Sequence, residues 1–145
     1  MFFTRVALSV DLKPGKRDYR NAGPEPPLLV GGPGDLRALN DGGGPPICVV
    51  PDFPYAIARD ACAPGDIIVL TSDGITEAMD PGGGLYGRDR LQALLRSPAI
   101  FASDVAAIGS ALLADVQSFE AGTEPADDQT LVVVRWRGEQ RSNER

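Results

Sequence analysis

Pro64-Gly-Asp-Ile-Ile-Val-Leu-Thr-Ser-Asp-Gly-Ile-Thr-Glu-Ala78 is the stretch on which the fold turns. Ala63-Pro64-Gly65 makes a turn, and Ile67 to Thr71 are five apolar or β-branched residues in a row, a run that suits a strand covered on both faces. Ser72-Asp73-Gly74 stops the run, and Ile75 to Met79 reads as one helical turn. A carboxylate at the end of a buried strand, beside a flexible Gly, is well placed to give an oxygen ligand to a hard cation. On spacing alone the simpler reading comes first: Asp73 caps the following turn and Gly74 supplies a permissive backbone. Glu77 lies four residues beyond Asp73, which on a helix would put it over the same face, and a plain surface role suits it equally.

Towards the N-terminus, Phe2–Asp11 is a largely apolar run closed by Lys13-Pro-Gly15, and Lys16–Asn21 would complete a hairpin. Pro27–Val30 is a further strand, stopped by Gly31-Gly32-Pro33-Gly34, and Leu36–Leu39 is another or a ragged edge. Ile47–Val50 and Tyr55–Arg59 are short β candidates broken by Pro51 and Pro54. The pattern is antiparallel throughout. Towards the C-terminus, Gly87–Leu95 reads as a short amphipathic helix. The strongest helix runs from about Ser103 to Ala121, with Val105, Ile108, Leu112, Val116 and Phe119 on one face, Ser103 as its start cap and Gly122 at its end. Gln129–Trp136 contains Leu131-Val-Val-Val134, a last buried strand, and two adjacent carboxylates, Asp127 and Asp128, lead into it. Neighbouring side chains on an extended segment point to opposite sides, so only one of the two would face an ion; alone, the pair reads first as an acidic turn that keeps a strand soluble.

Composition narrows the chemistry. A chain of 145 residues buries one core, and 17 Gly and 13 Pro against 6% aromatics point to short elements joined by many turns. A net charge of −6 disfavours nucleic acid and anionic membrane surfaces as partners. Histidine is absent, which removes Ser-His-Asp and Cys-His catalysis and imidazole zinc sites, leaving carboxylates to do any chemistry. Cys48 and Cys62 are expected to be buried free thiols in a reducing cytoplasm. With no signal-like start and no apolar run near the ~20 residues a span needs, the chain is expected to be soluble and cytoplasmic. The Gly-rich stretches at 31–34, 42–44 and 82–84 match no phosphate-binding loop and read as loop tips.

Taken in order, five stretches resemble the SpoIIE-like (RsbU-like) bacterial branch of the PPM, or PP2C-type, protein phosphatases. They are Met1-Phe-Phe-Thr4, Asn21-Ala-Gly-Pro-Glu-Pro-Pro-Leu28, the Pro64–Ala78 segment, Leu85-Tyr-Gly-Arg-Asp-Arg-Leu91 and Asp127-Asp-Gln-Thr-Leu-Val132. The resemblance implies an α+β fold, a two-layer antiparallel β-sandwich flanked by helices and incomplete at its N-terminus, over residues 1–137, with 138–145 a charged tail. It implies hydrolysis of phosphoserine or phosphothreonine on a regulatory protein of the anti-anti-sigma type, with two Mn²⁺ or Mg²⁺ ions activating water. Asp73 and Asp127 match the family's metal-binding aspartates and are the candidate catalytic and metal residues; Gly74, Glu77 and Asp128 are supporting. The family's earlier aspartate motifs have no counterpart, so this chain alone is expected to be inactive and to bind metal weakly or not at all. The family often reads Ala-Gly-His-Pro where this chain has Ala22-Gly-Pro-Glu25. A non-catalytic module that binds a phosphoprotein or a partner phosphatase chain is the alternative reading. Sheet edges left open by the missing strands offer a route to a homodimer.

Overall fold

The computed structural model describes residues 5–10, 16–23, 25–41 and 43–138. Its elements run β1 (Arg5–Val10), β2 (Lys16–Ala22), β3 (Leu28–Gly32), β4 (Asp35–Ala38), β5 (Gly43–Gly44), β6 (Ala58–Ala61), β7 (Ile67–Thr71), α1 (Asp73–Thr76), α2 (Gly87–Leu95), α3 (Pro98–Ala102), α4 (Val105–Glu120) and β8 (Leu131–Arg135). Met1–Thr4 and the Lys13-Pro-Gly15 turn fall outside the described residues, as does the charged tail beyond Gly138.

Two antiparallel sheets make the architecture. In the first, β1 pairs with β2 from Arg5↔Ala22 to Val10↔Arg17, and β6 flanks β2 on its other side. In the second the order is β4-β3-β7-β8, with β7 central between β3 and β8. Ile67, Ile68 and Val69 of β7 are all buried, as a strand covered on both faces requires. Side chains alternate across this sheet. Leu28, Val30, Ile67 and Val69 pack with Leu91, Leu95, Ile108, Leu112 and Val116 from the helices, while Leu29 and Ile68 pack on Tyr19, Leu39, Ala58 and Cys62 on the side of the first sheet. The Arg37 guanidinium on β4 grips the Asp60 carboxylate on β6 with both nitrogens, tying the two sheets at one margin, and this partner raises the Arg37 pKa.

Several local expectations change. Helix α4 starts at Val105, and Asp104 rather than Ser103 is its cap: Asp104 Oδ1 accepts the Ala107 N–H at 2.8 Å. Ser103 instead donates to the Ala99 carbonyl at 2.7 Å, in the last turn of α3, a helix that the sequence pattern did not separate. Ile47–Val50 is not a strand. Proline on both sides removes ladder donors, and Cys48 takes a left-handed φ of 69°. Cys48 is exposed, so only Cys62 meets the expectation of a buried thiol, and neither forms a disulfide. The sheets also contain one short parallel contact, Asn21↔Gly43 and Ala22↔Gly44. Gly44 allows it, because a Cβ there would lie 2.5 Å from the Phe53 ring. No helix among the described residues is long and apolar enough to cross a membrane.

Candidate functional site

The central strand β7 and its neighbour β8 end side by side, and their flanking loops carry the two acidic motifs. The ladder runs from Ile67↔Arg135 to Thr71↔Leu131 and is continued by Ser72 N–H donating to the Thr130 carbonyl at 3.0 Å. Ser72 is the residue just before α1, yet its side chain does not cap that helix. Its hydroxyl donates to the Asp128 carbonyl at 2.9 Å and accepts the Thr130 N–H at 2.9 Å. One hydroxyl therefore bridges the Thr71-Ser-Asp-Gly74 and Asp127-Asp-Gln-Thr130 segments.

Gly74 completes the junction. A Cβ built there would sit 2.4 Å from the Asp128 carbonyl oxygen and 3.3 Å from that of Asp127, so only glycine lets the two loops come this close. The contact gives Gly74 a packing role, and its φ is not among the positive ones.

Each candidate ligand is held by the backbone next to it. Asp73 is the first residue of α1, and its Oδ1 accepts the Gly74 N–H at 3.1 Å. Asp127 Oδ1 accepts the Asp128 N–H at 2.7 Å. Neither Oδ2 has a hydrogen-bond partner among the described residues, so each carboxylate keeps an oxygen available to a ligand. Asp128 contributes its backbone carbonyl rather than a bonded side chain. Glu77 sits exposed at the end of α1, and its part in the junction is the N–H it donates to the Asp73 carbonyl at 2.8 Å.

Residues that the motif reading left without a role fix the surroundings. Gln129 donates through Nε2 to the Oε1 of Glu120 at 2.6 Å, and Glu120 is buried, which fastens the acidic loop to the end of α4. Tyr86 and Arg90 both bond Asp115 on α4, at 2.7 Å through the Tyr86 hydroxyl and at 3.0 and 3.1 Å through the guanidinium. The Arg90 partner lowers the Asp115 pKa, whereas burial first and then the bond to Asp115 raise that of Tyr86. Glu25, from the segment that departs from the family pattern, bonds Thr76 of α1 and Arg88 of α2. The sequence offered no signal for these partners beyond the motif boundaries themselves.

In kind, the donors suit a hard divalent cation: carboxylate and carbonyl oxygens with no sulfur or imidazole. In number they are few, since no group of three or more His, Cys, Asp or Glu among the described residues could hold a metal. An ion of the Mg²⁺ type is commonly held by one or two carboxylates and keeps several waters, so the junction fits as one contributor to such a site.

The sequence matches the family described as Stage II sporulation protein E (SpoIIE) over residues 1–137. It is 30% identical over 95 residues to protein IcfG of Synechocystis sp., an alignment that covers 66% of this chain and 15% of IcfG. The fold is similar to the Bacillus subtilis SpoIIE PP2C phosphatase domain solved with a fragment of its regulatory domain, at a TM-score of 0.77 and 20% identity over 94% of this chain and 39% of that one. The manganese-presoaked SpoIIE phosphatase domain of the same organism gives 0.68 and 18%, covering 94% and 58%. The RsbU and RsbW domains of a Mycobacterium tuberculosis protein give 0.68 and 24%, covering 94% and 37%. This chain thus spans 15% to 58% of the length of these relatives.

Proposed function

Since the chain belongs to the SpoIIE family and has the PP2C phosphatase fold, we propose that its Ser72–Gly74 and Asp127–Thr130 junction is part of a metal-dependent serine/threonine protein phosphatase site. Asp73 and Asp127 would hold Mn²⁺ or Mg²⁺, and the substrate would be phosphoserine or phosphothreonine on a regulatory protein. A bound ion would lower the pKa of a coordinated water and offset charge on the phosphoryl oxygens. This chain's residues do the positioning: the Ser72 hydroxyl and the absent side chain of Gly74 hold the two loops in register, and the neighbouring N–H groups fix one oxygen of each carboxylate. The observation that carries the reading is the direct contact of these two motifs, 56 residues apart, through Ser72.

Mn²⁺ titration followed by electron paramagnetic resonance, together with phosphate release from a phosphopeptide, tests this reading. Weak Mn²⁺ binding lost in Asp73→Asn and in Asp127→Asn, with turnover near background, is expected from a partial ligand set. Mn²⁺ binding unchanged in both variants would overturn the ligand assignment. Robust turnover abolished by Asp73→Asn would mean that the site is more complete than two carboxylates allow. The small number of carboxylates at the junction also favours a second reading, a module that binds a phosphoprotein or a partner phosphatase chain without turnover.

A further inference from the structure

Helix α1 is a single turn of four residues, and its N-cap Ser72 makes no side-chain cap bond to it. A helix this short does not hold its own shape, because nucleation fixes several dihedrals for one hydrogen bond. Something outside α1 must set the direction in which Asp73 points. One such contact is Ser72 to Asp128, at the start of the turn. The other lies at its end. Thr76 is buried, and its hydroxyl sits 3.0 Å from Glu25 Oε1 and 3.3 Å from the Asp73 carbonyl. A hydroxyl has one proton to donate, and the shorter, charged acceptor is Glu25. The same Oε1 accepts from Arg88 Nη2 at 3.1 Å and Nε at 3.3 Å, and the Glu25 side chain is only 13% exposed. A single oxygen thus gathers the Ala22–Leu28 segment, the turn that begins with Asp73, and α2.

We propose that Glu25 is a positioning residue for Asp73: held by Arg88, it anchors Thr76 and so fixes the turn that aims the Asp73 carboxylate. The inference rests on reading Asp73 as a metal ligand. The Arg88 cation offsets the charge of this part-buried carboxylate beside a site built from other carboxylates.

The test uses the full chain with Mn²⁺ alone as the probe, and a second readout that needs no metal. Amide hydrogen exchange at Ile75 and Glu77, whose N–H groups bond the Ser72 and Asp73 carbonyls, reports the integrity of the turn. Glu25→Ala should quicken exchange at both amides and weaken Mn²⁺ binding, each about tenfold, the size of one lost charge-assisted hydrogen bond. Glu25→Gln should restore most of both, because its amide oxygen still accepts from Thr76 and loses only the charge assistance from Arg88. Thr76→Val should reproduce the loss and add nothing to Glu25→Ala, as members of one network do. Mn²⁺ affinity unchanged in Glu25→Ala, while Asp73→Asn abolishes binding, would overturn the role of Glu25 and leave the ligand reading intact. Wild-type chain indifferent to Asp73→Asn would instead overturn the ligand reading; Glu25 would then be judged by exchange alone, with unchanged rates in Glu25→Ala refuting the anchor and a loss restored by Gln supporting it.

Discussion

Gly74 is the residue on which the junction tolerates least change. Its substitution by alanine would drive a Cβ into the Asp128 backbone carbonyl at 2.4 Å, and backbone cannot swing aside as a side-chain end can. Gly74→Ala should therefore destabilise the chain by about 1–3 kcal/mol, the usual range for overpacking, and separate the two acidic loops. Urea denaturation measures the first effect. The Tyr86, Arg90 and Asp115 cluster gives the pH response. Asp115 has its folded pKa below the unfolded value, so its contribution is present above about pH 4 and is lost as pH falls through the folded pKa. Tyr86 has its folded pKa raised, so stability is complete below the ordinary tyrosine value of about 10 and declines as pH rises past it. Urea midpoints measured from pH 3 to 11 should fall at both ends, and Tyr86→Phe should flatten the alkaline side most and the acid side slightly, because its hydroxyl, after Arg90, also lowers the Asp115 pKa.

Helix α4 shows how much of an element its sequence specifies. The stripe Ile108, Leu112 and Val116 is buried against the β4-β3-β7-β8 sheet, as its spacing of four predicts. The boundary was harder to read, because Ser103 and Asp104 are both good caps. Packing of α3 decided between them: Ser103 closes α3 through the Ala99 carbonyl, which leaves Asp104 to start α4. Asp104→Ala should cost about 1 kcal/mol, and Ser103→Ala distinctly less, in matched thermal or urea unfolding curves. A larger loss for Ser103→Ala would return the cap to the earlier residue. The Leu85–Leu91 motif likewise resolves into a brace. Tyr86 and Arg90 reach α4, and Arg88 reaches Glu25, so α2 and the residue before it tie α4 to the Glu25 segment.

At the scale of the molecule, β8 is one edge of its sheet among the described residues. It ends the order β4-β3-β7-β8, and the ladder to β7 turns the N–H and C=O groups of Leu131, Val133 and Arg135 away from the sheet. Val132 and Val134, on the side of the first sheet, remain 47% and 42% exposed. An open edge beside exposed valines favours pairing with another strand. Two copies joined antiparallel about Val133 would set the acidic start of one β8, Asp127 and Asp128, beside the basic end of the other, Arg135 and Arg137. Light scattering at micromolar concentration should give a mass above that of one chain, and Val132→Lys with Val134→Lys should return it to the monomer. A monodisperse monomer for the wild-type chain would refute the pairing.

The sequence by itself determined the elements whose signal is local and the order in which they follow. β7 is a continuous apolar run, α2 matches Gly87–Leu95, and α4 follows its stripe, because periodicity and burial there leave one solution for a chain that must cover its apolar surface. It also placed Asp73 just beyond β7 and Asp127 in the segment that leads into β8. Only the tertiary structure decided that β7 and β8 are neighbours, that Ser72 rather than Asp73 stitches the motifs, and that Glu25 meets Thr76 and Arg88. These contacts join residues 56, 51 and 63 positions apart. A polar side chain of that kind has no period to betray it: its partner is chosen by which strand ends the hydrophobic core brings together, and the hydrogen bond is made afterwards by whatever donor stands there.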